Sequence, residues 1–289
     1  TASLRTDHAP VTLQFQWLSG KTYVQTMTMD ADMTMPMGGQ EMTQSTRMEM
    51  TMSMAVSGVD GGGKRIDVHY DHIAMTVSAM GNEMHYDSAD PAQSTGPLAS
   101  MGDVTKRDFH VVMNDRNEIV SVDWDGEVAA EVQQMMDQFA SKEQMGQLMS
   151  TWLTQWLPGK PVNPGDSWPL ELSWQIPTLG GIELAGTSTL AGFTERDGHD
   201  CAVLDIALEM DADFSGSGGD GEQAEALRQL GMKIDGGTTT LRCYWDNDLG
   251  WMRGLDMDQR FSVSMKNPQD GTPVEMPLHQ KMECTVEVK

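Results

Sequence analysis

Val24-Gln25-Thr26-Met27-Thr28-Met29-Asp30-Ala31-Asp32-Met33-Thr34-Met35-Pro36-Met37 and, shortly after, Arg47-Met48-Glu49-Met50-Thr51-Met52-Ser53-Met54-Ala55-Val56 alternate methionine with small or polar residues. In an extended strand, residues two apart share a face. Met27, Met29, Met33, Met35 and Met37 therefore share one face, with Ala31 filling the gap. Met48, Met50, Met52 and Met54 share one face of the next strand. Gly38-Gly39 lies between the runs and suits a turn. The spacing predicts an antiparallel pair with a methionine-paved face and an opposite face of Thr, Ser, Asp, Glu and Arg.

Working outward, 289 residues suffice for one large β domain or two smaller ones, and 39% hydrophobic residues suffice for a core. The 43 acidic against 19 basic residues leave a net charge of −24. That balance argues against a nucleic-acid partner, whose phosphates need a basic footprint, and against anionic lipid surfaces. Methionine is the anomaly: 26 residues, more than Phe, Tyr and Trp together. No apolar run reaches the roughly 18 residues of a transmembrane helix. The chain opens on Thr1; its strand-rich character, with the family resemblance given below, favours a mature exported (periplasmic or extracellular) chain from which a leader was removed. Cys201, Cys243 and Cys284 spell no metal motif. One disulfide plus a free thiol, or three buried thiols, both fit.

Alternation continues on both sides. Val11 to Trp17 reads as a strand, and Ile66, Val68 and Tyr70 as another. The apolar phase then slips to Ile73, Met75 and Val77, which predicts a bulge near Asp71-His72. Phe109 to Met113 and Ile119 to Trp124 flank an Asn114-Asp115-Arg116-Asn117 turn. Val128, Val132, Met135, Met136 and Phe139 have helical spacing, and Ser141 to Gln144 has capping-box spacing for a second helical stretch. Trp168 to Ile176, Ala202 to Ala212, Leu241 to Trp245, Trp251 to Met257, Phe261 to Met265 and Met282 to Val288 resume strand alternation. The expected fold is mainly β (α+β): two similar antiparallel β-sheet halves, forming one curved sheet or half-barrel, joined by a helical segment. The expected units are 1–126 with the Met-rich hairpin, a helical connector over 127–160, and 161–289 with a short helix near 222–230.

Pro161-Val162 followed by Gly165-Asp166-Ser167-Trp168 resembles the opening of the second half in an uncharacterised family of bacterial exported proteins, often lipoproteins. Tyr86-Asp87-Ser88, and Phe109-His110-Val111-Val112-Met113-Asn114-Asp115-Arg116-Asn117-Glu118-Ile119-Val120 beyond a loop, are similar to that family's first-half pattern. The resemblance implies export, β-richness and two similar halves; that family has no established activity.

No Gly-x-Ser-x-Gly nucleophile elbow and no phosphate-binding glycine fingerprint occurs, so no enzyme is expected. His69 and His72, with Asp67 and Asp71, form the densest cluster of ligand-type residues; Asp67, His69 and Asp71 share a strand face that could hold a divalent cation, set against a reading as a solvated strand face. Asp246-Asn247-Asp248 and Asp30-Ala31-Asp32 are candidate Ca²⁺ ligands, but neither completes an EF-hand loop. Three readings of the methionines compete. The face is plain core, since Met packs competently, although Val and Ile are the better strand formers. Or Met27, Met29, Met33, Met35, Met37, Met48, Met50, Met52 and Met54 form an adaptable apolar surface for a hydrophobic ligand, lipid or protein partner. Or Met27, Met29, Met50 and Met52 bind Cu(I) or Ag(I), the soft ions that thioethers select. The expected function is a non-enzymatic exported binding or structural module presenting the Met-lined face, with Cu(I)/Ag(I) binding as the alternative and otherwise no cofactor.

Overall fold

The computed structural model describes residues 3–37, 40–90, 92, 94–95, 108–124, 156–176, 180–213, 231–267 and 271–289. These form twelve strands: β1 (Thr22–Met37), β2 (Gln40–Gly58), β3 (Lys64–Ala79), β4 (Asn82–Asp87), β5 (Phe109–Met113), β6 (Ile119–Trp124), β7 (Ser167–Ile176), β8 (Gly180–Arg196), β9 (His199–Asp213), β10 (Lys233–Asp246), β11 (Trp251–Lys266) and β12 (Pro273–Val288). They make one antiparallel sheet in the order β6-β5-β3-β2-β1-β12-β11-β10-β9-β8-β7, with β4 pairing the far end of β3.

The α+β assignment is corrected by this sheet: every regular element among the described residues is a strand. The connector expected over 127–160 lies outside the described residues except for 156–160, which are turn and bend. The short helix near 222–230 lies outside them altogether. Among the described residues, the earlier and later strands meet where β1 pairs with β12, from Tyr23↔Val288 to Met33↔Leu278. A helix-spaced stripe between two strand-rich stretches does not decide how they meet. Unpaired strand edges do, because each exposes a row of backbone donors and acceptors. β12 satisfies β1 on one side and β11 on the other.

The alternation at Val11 to Trp17 also does not form a strand. Val11 makes a single bridge to Val162, and Gln16 N–H donates to the Gly250 carbonyl at 3.0 Å. Leu13 and Trp17 are nevertheless buried. Trp17 packs on Tyr23 and Trp251, with ring centroids 4.8 and 4.5 Å away. The segment thus closes one end of the sheet's apolar face, and its alternation serves packing rather than a ladder.

The bulge is present. Thr51 faces His72 and Met52 faces Tyr70, so Asp71 is the extra residue. A one-residue slip moves every later side chain to the other face. Here it keeps Ile73, Met75 and Val77 on the apolar side with Val68, where Ile73 and Val77 are buried.

All three cysteines are free and buried. Cys243 on β10 and Cys284 on β12 both face Leu255 on the strand between them. Two strand spacings, about 10 Å, exceed disulfide reach.

Candidate functional site

The hairpin is as expected: β1 and β2 pair from Thr22↔Ala55 to Met37↔Gln40. Directly opposed residues share a face, so the register resolves the methionines into three groups. Met54 faces Tyr23 and Met52 faces Gln25, toward the closed end. Met27 faces Met50 and Met29 faces Met48, at mid-strand. Met33 faces Gln44, Met35 faces Met42 and Met37 faces Gln40, toward the turn. Met52 has no methionine opposite it on either side, since β3 presents Tyr70 there. Within the quartet Met27, Met29, Met50 and Met52, only Met27 and Met50 are directly opposed.

Neighbouring strands extend the middle group. Met29 faces Met282 on β12, and Met282 faces Met257 on β11. On the other side Met48 faces Met75 on β3. Met257, Met282, Met29, Met48 and Met75 thus form one continuous row across five strands, about 19 Å at the usual strand spacing. Leu241 and Tyr86 bound the row and are 5% and 0% exposed. The five methionines between them are only half-buried. One step toward the closed end, Leu255, Cys284, Met27, Met50 and Ile73 form a parallel row. Leu255, Cys284 and Ile73 in it are buried, whereas Met27 and Met50 are half-buried like the methionine row. The face is therefore half-open at the methionines of both rows.

One step in the other direction the face turns polar: Thr239, Gln259, Gln280, Ala31 and Thr46 align across β10, β11, β12, β1 and β2. Gln280 Nε2 donates to Met29 Sδ at 3.1 Å, and Gln259 Nε2 donates to Thr239 Oγ1 at 2.9 Å. Met33 and Met35 lie beyond this row, separated from the middle group.

The opposite face is charged. Arg47 pairs with Glu49 at 3.0 Å and Asp30 at 3.6 Å, and Lys281 stands opposite both Asp30 and Asp258. A groove of about 610 Å³ runs along this face past Asp205, Arg242, Asp256, Asp258 and Lys281. Arg242 and Asp205 already pair with each other at 2.7 and 2.9 Å. Asp258 takes hydrogen bonds from His279 and Arg260, and the His279 bond leads in holding its carboxyl below the usual value.

The other candidates are engaged in local structure. His69 pairs with Asp108, Asp67 with Arg65, and Asp71 with Ser53. Asp30 pairs with Arg47, and Asp32 accepts from Ser45. Asp246 accepts from the N–H groups of Asp248 and Leu249 at 3.0 and 3.1 Å and from Arg253 at 2.9 Å. It anchors the β10–β11 turn. His199 Nδ1 lies 3.6 Å from Asp246, with Cys201 two residues on. Burial pushes the Cys201 thiol up to about 11, and its Sγ points to the His199 carbonyl rather than the ring. That group cannot supply a thiolate near neutral pH. Among the described residues no three His, Cys, Asp or Glu side chains converge to hold a metal ion.

Residues 61–251 match a family model. The chain belongs to DUF6263, a family of unknown function. Two motifs noted in the sequence fall inside the matched region and serve as backbone anchors. Asp166 accepts from Asn163 N–H at 2.7 Å, and Ser88 Oγ accepts from Ile73 N–H at 2.9 Å. No curated protein matches the chain. Among solved structures, DynF of the dynemicin biosynthesis pathway of Micromonospora chersina is similar over 99% of this chain and 92% of its own, at 10% identity and TM-score 0.24. An outer membrane channel from Pseudomonas putida F1 is similar over 97% and 100%, at 7% identity and TM-score 0.26. An outer membrane lipoprotein-sorting protein domain from Vibrio parahaemolyticus is similar over 91% and 84%, at 9% identity and TM-score 0.13. Likenesses at these scores carry no functional argument. No helix among the described residues is long and apolar enough to cross a membrane.

Sequence reading did not assign Met257, Met282 and Met75 to this face. Each falls on a strand by alternation, and the phase slip at Asp71 signals which side Met75 takes. Nothing local signals that β12 lies beside β1.

Proposed function

We propose that this chain is an exported, non-enzymatic binding module whose methionine-lined face receives a hydrophobic ligand. One observation carries the reading. The apolar face is closed at Leu241, Leu255, Cys284 and Tyr86 but half-open along Met257, Met282, Met29, Met48 and Met75. A face serving only as core gains from rigid β-branched residues. Methionine instead offers three rotatable bonds and a polarisable sulfur that repack around an occupant. Gln259 and Gln280 edge the row and suit the polar end of an otherwise apolar molecule. Export rests on the resemblance of Tyr86-Asp87-Ser88 and Gly165-Asp166-Ser167-Trp168 to motifs of an exported family.

The test is binding of a neutral fluorescent naphthylamine probe to the full chain. Met29→Lys places a charge at the centre of the row and abolishes the fluorescence gain. Thr28→Lys, one residue away on the opposite face, leaves it intact. Equal binding by the two variants would refute the reading.

A further inference from the structure

We propose that Met282, Met29 and Met48 form a soft-metal site that takes one Cu(I) or Ag(I) ion. The proposal stands apart from the apolar-ligand reading and uses the sulfur rather than the apolar surface. Thioethers favour Cu(I)-type ions over the harder Mg²⁺, Ca²⁺ and Mn²⁺. The three residues are direct cross-strand neighbours on β12, β1 and β2. Opposed side chains start about 5 Å apart at Cβ, and methionine's flexible stem lets flanking sulfurs swing over the middle one. Met29 is that middle residue, and its hydrogen bond from Gln280 leans its Sδ toward β12, the strand of Met282.

The surroundings suit a monovalent cation. The row is half-buried, so an ion has a path in from solvent. Arg47 and Lys281 carry the nearest positive charges in sequence, and alternation puts both on the opposite face. The chain's net charge of −24 raises the local concentration of cations. Cys284 lies one row inward and is 2% exposed, opposite Met27 and Leu255 rather than in line with the trio. Met257 and Met75 flank the trio and provide spare sulfurs at its ends.

Neutral thioethers need no deprotonation, which separates this site from thiolate or imidazole sites. Cu(I) affinity is therefore flat from about pH 5.5 to about pH 8, where histidine ligation would change steeply.

The experiment is anaerobic Cu(I) titration of the full chain against a chromophoric Cu(I) chelator, with Met282→Leu/Met29→Leu/Met48→Leu as the variant. Leucine keeps the apolar volume and removes the sulfur. The wild type withdraws one equivalent from the chelator, and the variant loses at least about tenfold in affinity. Met33→Leu/Met35→Leu, beyond the glutamine row, is unchanged. The naphthylamine probe still binds the triple variant, so failure of either reading is visible without the other. Undiminished Cu(I) binding by the triple variant, no withdrawal by the wild type, or affinity that rises with pH overturns the site. Should the triple variant fail to fold, peroxide oxidation of the wild type decides. Ag(I) protects Met29, Met48 and Met282 while leaving Met33 and Met35 oxidised, and uniform oxidation overturns the site.

Discussion

Alanine truncation at two positions of β2 separates an open methionine face from a closed core. Met54 is 6% exposed and sits between Tyr23 and Val68, which are 0% and 4% exposed. Truncating it leaves a cavity that its neighbours cannot collapse into. Burial and cavity contributions together make such substitutions cost about 2–5 kcal/mol, and about 3 kcal/mol is expected here. Met48 sits six residues earlier on the same strand and face, between Met29 and Met75. Part of its side chain already meets solvent, so water fills the space and the cavity contribution vanishes. About 1 kcal/mol is expected. Met→Leu at either position conserves volume and costs less than about 1.5 kcal/mol. Urea unfolding reads the difference: at a slope of about 3 kcal/mol/M the midpoint moves by about 1 M for Met54→Ala and about 0.3 M for Met48→Ala. Equal shifts at unchanged slope would show the row to be ordinary core and remove the basis of both proposals.

Three further outcomes follow from other parts of the structure. Asp246→Ala leaves Arg253 largely buried and two turn N–H groups without their acceptor. It lowers stability by about 3 kcal/mol in chemical denaturation while probe binding at the methionine row persists. Burial raises the thiols of Cys201, Cys243 and Cys284 to about 11, about 12 and about 11. A thiol-exchange reagent at about pH 8 therefore labels none of them in the native protein and all three after unfolding, and partial labelling after unfolding would reveal a disulfide. The Asp258 carboxyl is held low chiefly by its His279 hydrogen bond, and that of Asp87 chiefly by the Ala89 N–H. Both folded-state values lie below the unfolded one. Their contribution is thus complete above about pH 4 and fades as pH falls through the folded values. Asp258→Asn/Asp87→Asn flattens the acid limb of a melting-temperature profile below about pH 4 and leaves its neutral region parallel to wild type.

Alternation by itself determined most of the strands, their two faces, and the bulge at Asp71, because side-chain direction in a strand depends only on residue parity. It also placed nine of the hairpin's ten methionines on one side. Alternation misled at Val11 to Trp17, where the same period serves side-chain packing without a hydrogen-bonded ladder. The tertiary structure decided which strands are neighbours. Met29 meets Met282 because β12 is the partner that satisfies the free edge of β1, and backbone hydrogen bonding carries no local sequence code for a partner some 250 residues away. That pairing sorted the methionines into core, row and turn groups, separated Met52 from the proposed metal ligands, and brought in Met257, Met282 and Met75. It also set the gradient of burial, since the closed end exists only where Leu13, Trp17 and Trp251 pack across the ends of strands drawn from both halves of the chain.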